Sequence, residues 1–410
     1  MLNDNAVKEN GKRIIWISFQ ILDLFLSKTA LIEMATNLSE RGNHVDFFAL
    51  RSKKVFRSRS SNMRLNSIPL KILPIITHLS YIVALSVILP FYIAKRRPRF
   101  IITEPKFGSS ILSLESKLFS SPFGSKVILD IRSTPVEVHT LRRSLNAFWF
   151  NVAVTIAVKT LDGITVATEQ MKKEICSKFN ANPQCFHVWS NGVDTNLFSP
   201  QRYDAEEVRM KLGLTGKFIV FYHGSLRPHG GINETIQSVK ILEKRYPDLT
   251  LFLLGSGLSL SSFEHSIRKN QLQDRVIIHE PVDYIDVPKY IAMSDVGIVP
   301  LPDIPDWRHQ SPLKLIEYLA MGKAVIATDI PANRNVLATT QSGIYISSIR
   351  PEEIAEAISH AHDNRGKLKE WGSSGRKIAQ EKYDWKRVAK DFEHYLEKCE
   401  RKTSTARWQA

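Results

Sequence analysis

Short β-rich runs alternate with helical patterns along this chain, stop at a turn-rich loop near residue 195, and then start again. Arg13 to Ser18 is β-rich, Lys28 to Arg41 has helical apolar spacing ending at Gly42, and His44 to Leu50 reads as a second strand. Phe100 to Thr103 and Val127 to Ile131 are apolar runs behind turn residues, and Gly163 to Ala167 follows an apolar helix from Phe148 to Leu161. Strands separated by helices cannot close into tight hairpins, so they pair in parallel with helices covering both faces. The expected fold class is therefore α/β, built on doubly wound parallel sheets.

The interruption is Ser190-Asn191-Gly192-Val193-Asp194-Thr195-Asn196-Leu197-Phe198-Ser199-Pro200. After it come a polar helix near Ala205 to Leu212, a strand Phe218 to Tyr222, a helix Ile232 to Arg245 and a strand Thr250 to Leu254. Val276 to His279, Val296 to Pro300 and Ala324 to Thr328 continue the series. A chain of 410 residues accommodates two such units. The expected organisation is a Rossmann-like domain over 1–195, a second over 196–380, and a terminal helix over 381–400. Residues 401–410 read as frayed.

Three cysteines without metal-ligand spacing point to a reducing, cytosolic setting, and the polar stretch from Met1 to Lys12 does not read as a signal peptide. The net charge of +15 is unevenly placed. No acidic residue occurs between Asp46 and Glu104, while Arg51, Lys53, Lys54, Arg57, Arg59, Arg64, Lys71, Lys95, Arg96, Arg97 and Arg99 all fall there. Such a one-sign field suits an anionic surface. The aromatic residues of this window lie mostly in apolar runs rather than between the basic ones, which argues against a nucleic-acid partner. A cytoplasmic protein, peripheral at the inner face of the cell membrane, is the expectation.

Inside the window lies the apolar run from Ile72 to Ala94, with Pro74 and Pro90 expected to break its ends. It reads as a half-buried crossover helix, a helix lying in the membrane interface, or a span. The span ranks last, because strand-like segments on both sides must share one sheet.

The stretch from His309 to Thr328 reads as a tight loop, a short helix, a Gly322 stop and a β-branched strand. A Ser311-Pro312 pair at a helix start suits phosphate capture by unpaired backbone N–H groups. Glu317 falls in the second turn, where a carboxylate can accept hydrogen bonds from a ribose diol. This unit resembles the donor-nucleotide site of retaining GT-B glycosyltransferases, family 4 in particular. Asn191-Gly192-Val193-Asp194, the segment Tyr284 to Pro300, Asp162 to Ile175 and Trp385 to Tyr395 resemble other family segments in the same order.

The resemblance implies a GT-B fold: two Rossmann-like domains facing a cleft, with a C-terminal helix returning to the first. It implies donor binding in the second domain and acceptor binding in the first. It further implies retention at the anomeric carbon and no metal, and no Asp-x-Asp motif occurs in the sequence. Many members carry two glutamates with seven residues between them; Glu317 matches the second, and His309 stands in place of the first. Ser311, Pro312, Leu313, Lys314 and Glu317 fit the Ser-Pro-x-Lys-x-x-Glu variant. The Arg and Lys that commonly meet the diphosphate fall here on Ser225 and Gly230, so nearby Arg227 or His229 would supply the charge. Gly224, Gly230 and Gly231 surround a strand-to-helix turn that permits close backbone approach.

Candidate donor-binding residues are thus Gly224, Ser225, Arg227, Ser311, Pro312, Leu313 and Glu317. Candidate catalytic residues are Arg227, Lys314, Glu317 and Asp130. In the first half, Asp130 or Glu137 could orient an acceptor hydroxyl, Arg132 could meet an acceptor phosphate, and His139 is a further candidate. The expected reaction moves a hexose from a nucleotide sugar to a lipid-linked or surface-glycan acceptor, with no cofactor. A GT-B nucleotide-sugar epimerase, an inactive GT-B protein and a basic nucleic-acid-binding protein are the alternatives.

Overall fold

β-branched and aromatic runs form seven parallel strands in the first half: β1 (Arg13–Ile21), β2 (His44–Leu50), β3 (Met63–Ile68), β4 (Phe100–Thr103), β5 (Lys126–Ile131), β6 (Gly163–Val166) and β7 (Phe186–Val188). The structure is a computed structural model and describes residues 11–21, 28–50, 60–68, 74–106, 108–135, 141–337 and 340–401. Arg51, Lys53, Lys54, Arg57, Arg59, Lys71, Glu137, His139 and residues 402–410 lie outside the described residues. The sheet order is β3-β2-β1-β4-β5-β6-β7, so the winding direction reverses between β1 and β4. The second half forms β8 (Phe218–His223), β9 (Leu249–Leu254), β10 (Val276–His279), β11 (Val296–Val299), β12 (Ala324–Thr328) and β13 (Gly343–Ile346). Their order, β10-β9-β8-β11-β12-β13, reverses between β8 and β11.

Residues 1–190 and 385–410 form one unit, and 191–384 the other. The divide falls at 190/191 rather than 195 because Val193 pairs with Asp384 and its N–H donates to the Tyr383 carbonyl at 2.8 Å. This attaches the Asn-Gly-Val-Asp segment to the second unit. The terminal helix, Trp385–Arg401, belongs to the first unit. Its Trp385, Phe392 and Leu396 share a core with Trp16, Phe47 and Trp189 on one face of the first sheet.

The opposite face carries α2 (Pro74–Arg96), α3 (Ser109–Ser120) and α4 (Leu141–Thr160), after α1 (Lys28–Glu40) on the Trp16 side. The run expected to break at its two prolines is a continuous helix. Pro74 occupies the first turn, where no intrahelical N–H bond is needed, and Pro90 lies in the interior. An interior proline costs about 3 kcal/mol, which the packing of Tyr81, Ile82, Leu85, Leu89 and Ile93 against the sheet offsets. α2 connects strands of one sheet, as the crossover reading requires.

Its other face is bare. Leu79, Val83, Val87, Ile88 and Phe91 are exposed, Phe91 by 76%. His78–Arg96 is long and apolar enough to cross a membrane, and only 28% of it is buried. α3 is inverted: Ser109, Ser113, Ser116 and Ser120 are buried, while Ile111, Leu114, Leu118 and Phe119 face outward. Leu145 and Phe148 of α4 add to the same exposed apolar face.

Candidate active site

The C-terminal ends of β8 and β11 flank the reversal in the second sheet, the place where doubly wound folds bind ligands. β8 ends in His223, and the loop from Gly224 to Gly231 leads into the helix Ile232–Leu242. Gly231 has φ +70°, and a Cβ there would lie 1.9 Å from the Pro300 carbonyl oxygen, so only glycine lets this loop meet the end of β11. Gly255, just after β9, approaches the Gly224 backbone equally closely. Three strand ends thus converge through glycine contacts.

The helix Leu313–Ala320 enters beside them. Pro312 is its N-cap residue, so Ser311 stands one position outside the helix rather than at its start. The Ser311 hydroxyl oxygen accepts from the Asn191 N–H at 3.0 Å, and the Asn191 amide donates to the Ser311 carbonyl at 2.7 Å. Ser311 therefore anchors the loop to the Asn-Gly-Val-Asp segment. Leu313 opens the helix, and its neighbour Lys314 places its ammonium 3.8 Å from the centroid of the Tyr222 ring, beside Gly224.

Glu317 is buried, only 2% exposed. Its Oε2 lies 3.4 Å from His223 Nε2. Burial raises the Glu317 carboxyl to about 7, with the Tyr284 hydroxyl and the Lys314 charge pulling the other way. Burial and the Lys314 charge lower His223 to about 3. The two are thus a neutral histidine beside a carboxyl poised between its protonation states, not an ion pair. Glu317 Oε1 and His223 Nε2 are both buried without a hydrogen-bond partner among the described residues. Such atoms are costly unless something supplies the missing bond.

Tyr318 fixes the helix to β8. Its hydroxyl donates to the Phe221 carbonyl at 2.9 Å, and its ring meets His223 edge-on. Arg227 is exposed in the Gly224–Gly231 loop, with Nε 3.3 Å from Ser225 Oγ. Neither guanidinium nor loop is locked by a carboxylate among the described residues. His309 is half-buried and ends the short helix Pro305–Arg308.

In the first unit the corresponding reversal lies between β1 and β4. There Ser18, on β1, meets Glu104, the residue after β4. Glu104 is 3% exposed, and its Oε1 is buried without a hydrogen-bond partner. Burial raises it to about 7, opposed by Lys106 and the Ser18 hydroxyl, while Asp130 adds to the rise. Asp130 itself is fully buried: its Oδ1 accepts from Thr165 Oγ1 at 2.7 Å and from Trp189 Nε1 at 3.0 Å. Those bonds tie Oδ1 across the β5–β6 seam, while Asp130 Oδ2, like Glu104 Oε1 at the switch point, is buried without a hydrogen-bond partner among the described residues. Arg132 stacks 3.5 Å over the Trp189 ring and donates to its carbonyl at 2.7 Å; burial lowers it to about 10.

Sequence reading missed His223 and Glu104. The only signal for either was its place at the end of an apolar strand. Among the described residues, no group of three or more His, Cys, Asp or Glu could hold a metal ion.

Comparison with known proteins bears on the family and the fold. Residues 204–378 match the family model for glycosyl transferases group 1, and residues 28–197 match that for glycosyltransferase family 4. TuaH of Bacillus subtilis, a candidate teichuronic acid biosynthesis glycosyltransferase, is 29% identical over 43% of this chain and 42% of its own length. Spore coat protein SA of the same organism is 27% identical over 59% of this chain and 67% of its own. The chain thus spans between about two fifths and two thirds of the length of these relatives. Among solved structures, sucrose-phosphate synthase from Thermosynechococcus elongatus superimposes with a TM-score of 0.75 at 17% identity, covering 94% of this chain and 98% of that one. Anabaena HepE, solved in complex with UDP, gives 0.72 at 15% identity over 94% of this chain and 100% of that one.

Proposed function

Because the chain belongs to the GT-B glycosyltransferases of the family 4 type, we propose that it moves a hexose, with retention, from a nucleotide sugar to a lipid-linked or surface-glycan acceptor at the cytosolic membrane face. The observation that carries the donor half is the buried Glu317–His223 pair at the β8–β11 reversal, each with an atom awaiting a hydrogen bond. A ribose diol would donate to Glu317, which would then favour its ionised form. Backbone N–H groups at Leu313 and Lys314, the Lys314 ammonium and the exposed Arg227 fork would hold the diphosphate. In the reaction the anomeric C–O bond to the diphosphate breaks, and a bond from the acceptor oxygen forms on the same face. The acceptor proton passes to the departing diphosphate oxygen. Negative charge grows on that oxygen in the transition state, so cations fixed near it act on rate as well as on binding.

HepE binds UDP, which makes a uridine donor the first to try. In the first unit, Glu104 would accept from an acceptor hydroxyl, with Asp130 positioning β5 behind it. The exposed apolar face of α2, α3 and α4 supports action at a membrane. Its exposed residues recur along one side of α2 as Leu79, Val83, Val87 and Phe91, and the basic α2 end beside it suits anionic headgroups. The test is a calorimetric screen of nucleoside diphosphates, followed by mass spectrometry of sugar transferred to lipid and glycan acceptors. Transfer with retained anomeric configuration is expected. Failure of every nucleoside diphosphate to bind at millimolar concentration would overturn the reading, and sugar isomerised without any acceptor would replace it with epimerisation.

A further inference from the structure

The start of β1 and the end of α2 frame an open cavity of about 520 Å³ that the transfer reaction does not use. Lys12, Arg13, Arg96, Arg97 and Arg99 line it, with Glu400 as the one carboxylate. It lies at the N-terminal ends of β1 and β4, the opposite end of the sheet from Ser18 and Glu104.

The charges are partly balanced. Lys12 pairs with Glu397 at 3.0 Å and Glu400 at 3.8 Å, Arg99 pairs with Glu400, and Arg96 lies 3.9 Å from Asp46. Even with Glu397 and Asp46 counted, cations outnumber carboxylates five to three. Arg13 and Arg97 have no carboxylate partner among the described residues. Arg13 donates to the Arg96 carbonyl at 2.9 Å, and the Arg97 guanidinium lies 5.5 Å from the Phe123 ring centroid. Arg97 directly follows α2 with φ +46°, a position where glycine or asparagine is ordinarily favoured. A chain that needed only to stop the helix would place one of those there. Gathering cations into a concavity costs repulsion unless an anion enters.

We propose that this cavity binds a phosphate group, with Arg13 and Arg97 as its two guanidinium forks. Guanidinium matches phosphate geometry through paired N–H donors. The phosphate is that of an anionic lipid headgroup or of a soluble diphosphate. Lys95 continues the spacing of the exposed Leu79, Val83, Val87 and Phe91 along α2, so the cavity lies at the basic end of the apolar face. The proposal does not rest on the sugar-transfer reading.

The variant Arg13→Gln/Arg97→Asn removes both forks that lack a carboxylate partner, and asparagine accepts the left-handed backbone at 97. Inorganic pyrophosphate is titrated by calorimetry into wild type and variant, with UDP saturating the nucleotide site in a parallel series. Flotation is measured with phosphatidylcholine vesicles, with and without phosphatidylglycerol, at constant ionic strength. The expected result is about tenfold or greater loss of pyrophosphate affinity, of phosphatidylglycerol-dependent flotation, or of both, the range for a lost charged hydrogen bond. Loss of both assigns the site to headgroups; loss of the pyrophosphate event alone assigns it to a soluble ligand. Equal pyrophosphate binding and equal flotation in the two proteins, with unchanged melting temperature, would overturn the proposal. UDP binding reads the donor site separately, so its absence would count against the transfer reaction and leave this result standing.

Discussion

The two units repeat one architecture with opposite surfaces. Each has a parallel sheet whose winding reverses beside a buried glutamate, Glu104 in the first and Glu317 in the second, and burial holds each carboxyl near 7. The second unit brings glycine contacts to its reversal and exposes large apolar side chains only on separate elements, such as Met210, Ile241 and Leu258. The first leaves the outer faces of α2, α3 and α4 apolar and collects basic residues at the end of α2. A shared fold therefore fixes where a polar site forms, while the helix surfaces decide what the unit meets. The largest test of that contrast is Val83→Ser/Val87→Ser/Phe91→Ser. Full burial of each such apolar side chain stabilises by about 1.5–3 kcal/mol. Loss of three should reduce binding to anionic vesicles at least about a hundredfold in a flotation assay. Met210→Ser/Leu258→Ser, on the exposed surface of the second unit, should change nothing. Equal flotation of the two variants would erase the contrast.

The second test asks whether the two glutamates are equivalent. Burial raises both above the ordinary carboxyl value of 4.5 to about 7. Each neutral carboxyl therefore contributes stability that is fully present below about pH 4.5 and is lost as pH rises through about 7. The shift corresponds to roughly 3 kcal/mol at most for each. His223 acts in the reverse sense: held near 3, it contributes stability above its ordinary 6.5 that is lost as pH falls through about 3. Denaturant unfolding should show stability declining from about pH 4.5 to 7, with His223 offsetting part of that decline below its ordinary 6.5. Glu104→Gln and Glu317→Gln should each flatten that decline, and an unchanged slope in either would show that its carboxyl is not held neutral. Saturating nucleotide should remove the Glu317 contribution alone, because ionised Glu317 is the form a ribose diol favours.

How much of this was legible before the structure varies by element. β2, β4, β10 and β12 match their predicted bounds, since a short run of β-branched and aromatic residues has few alternatives once the flanking turns are fixed. α3 escaped notice because its buried face is serine and its apolar residues point outward, the reverse of the pattern that periodicity detects. β3, Met-Arg-Leu-Asn-Ser-Ile at a sheet edge, carries too weak an apolar signal to stand alone. Glu317 was legible through its motif. His223 was not, because its role comes from a partner 94 positions later in the chain. Asp130 drew attention as a strand-end carboxylate, and only the structure shows one oxygen bonded by Thr165 and Trp189 and the other buried without a partner among the described residues.

Within the donor site, exposed and buried polar groups should behave differently. Arg227→Ala should lower kcat more than it weakens nucleotide binding, by about 1.5–3 kcal/mol in transition-state stabilisation, because the exposed fork meets charge that grows during the reaction. Glu317→Gln should instead weaken nucleotide affinity by about 1–3 kcal/mol in titration calorimetry. If Arg227→Ala retained wild-type turnover, Lys314 would have to carry the diphosphate charge without it.

The smallest expected effect concerns the anchor of the donor loop. Asn191 fixes Ser311 twice, through its backbone N–H and its side-chain amide. Asn191→Ala removes only the amide bond to the Ser311 carbonyl. A neutral hydrogen bond is worth about 1 kcal/mol, so global stability should fall by no more than that. Ser311 immediately precedes the cap of the helix that carries Lys314 and Glu317. Loosening it should therefore weaken nucleotide binding several-fold while leaving the pH dependence of stability intact, since His223 and Glu317 stay buried against Tyr318. Ser311→Ala removes the other bond, to the Asn191 N–H, and should produce a similar loss. The double variant separates two accounts. If the bonds act together as one clamp, losing either one opens it, and the combined loss falls short of the sum of the single losses. If Ser311 itself touches the nucleotide, Ser311→Ala alone should account for nearly all of it, and Asn191→Ala should be close to silent in calorimetry.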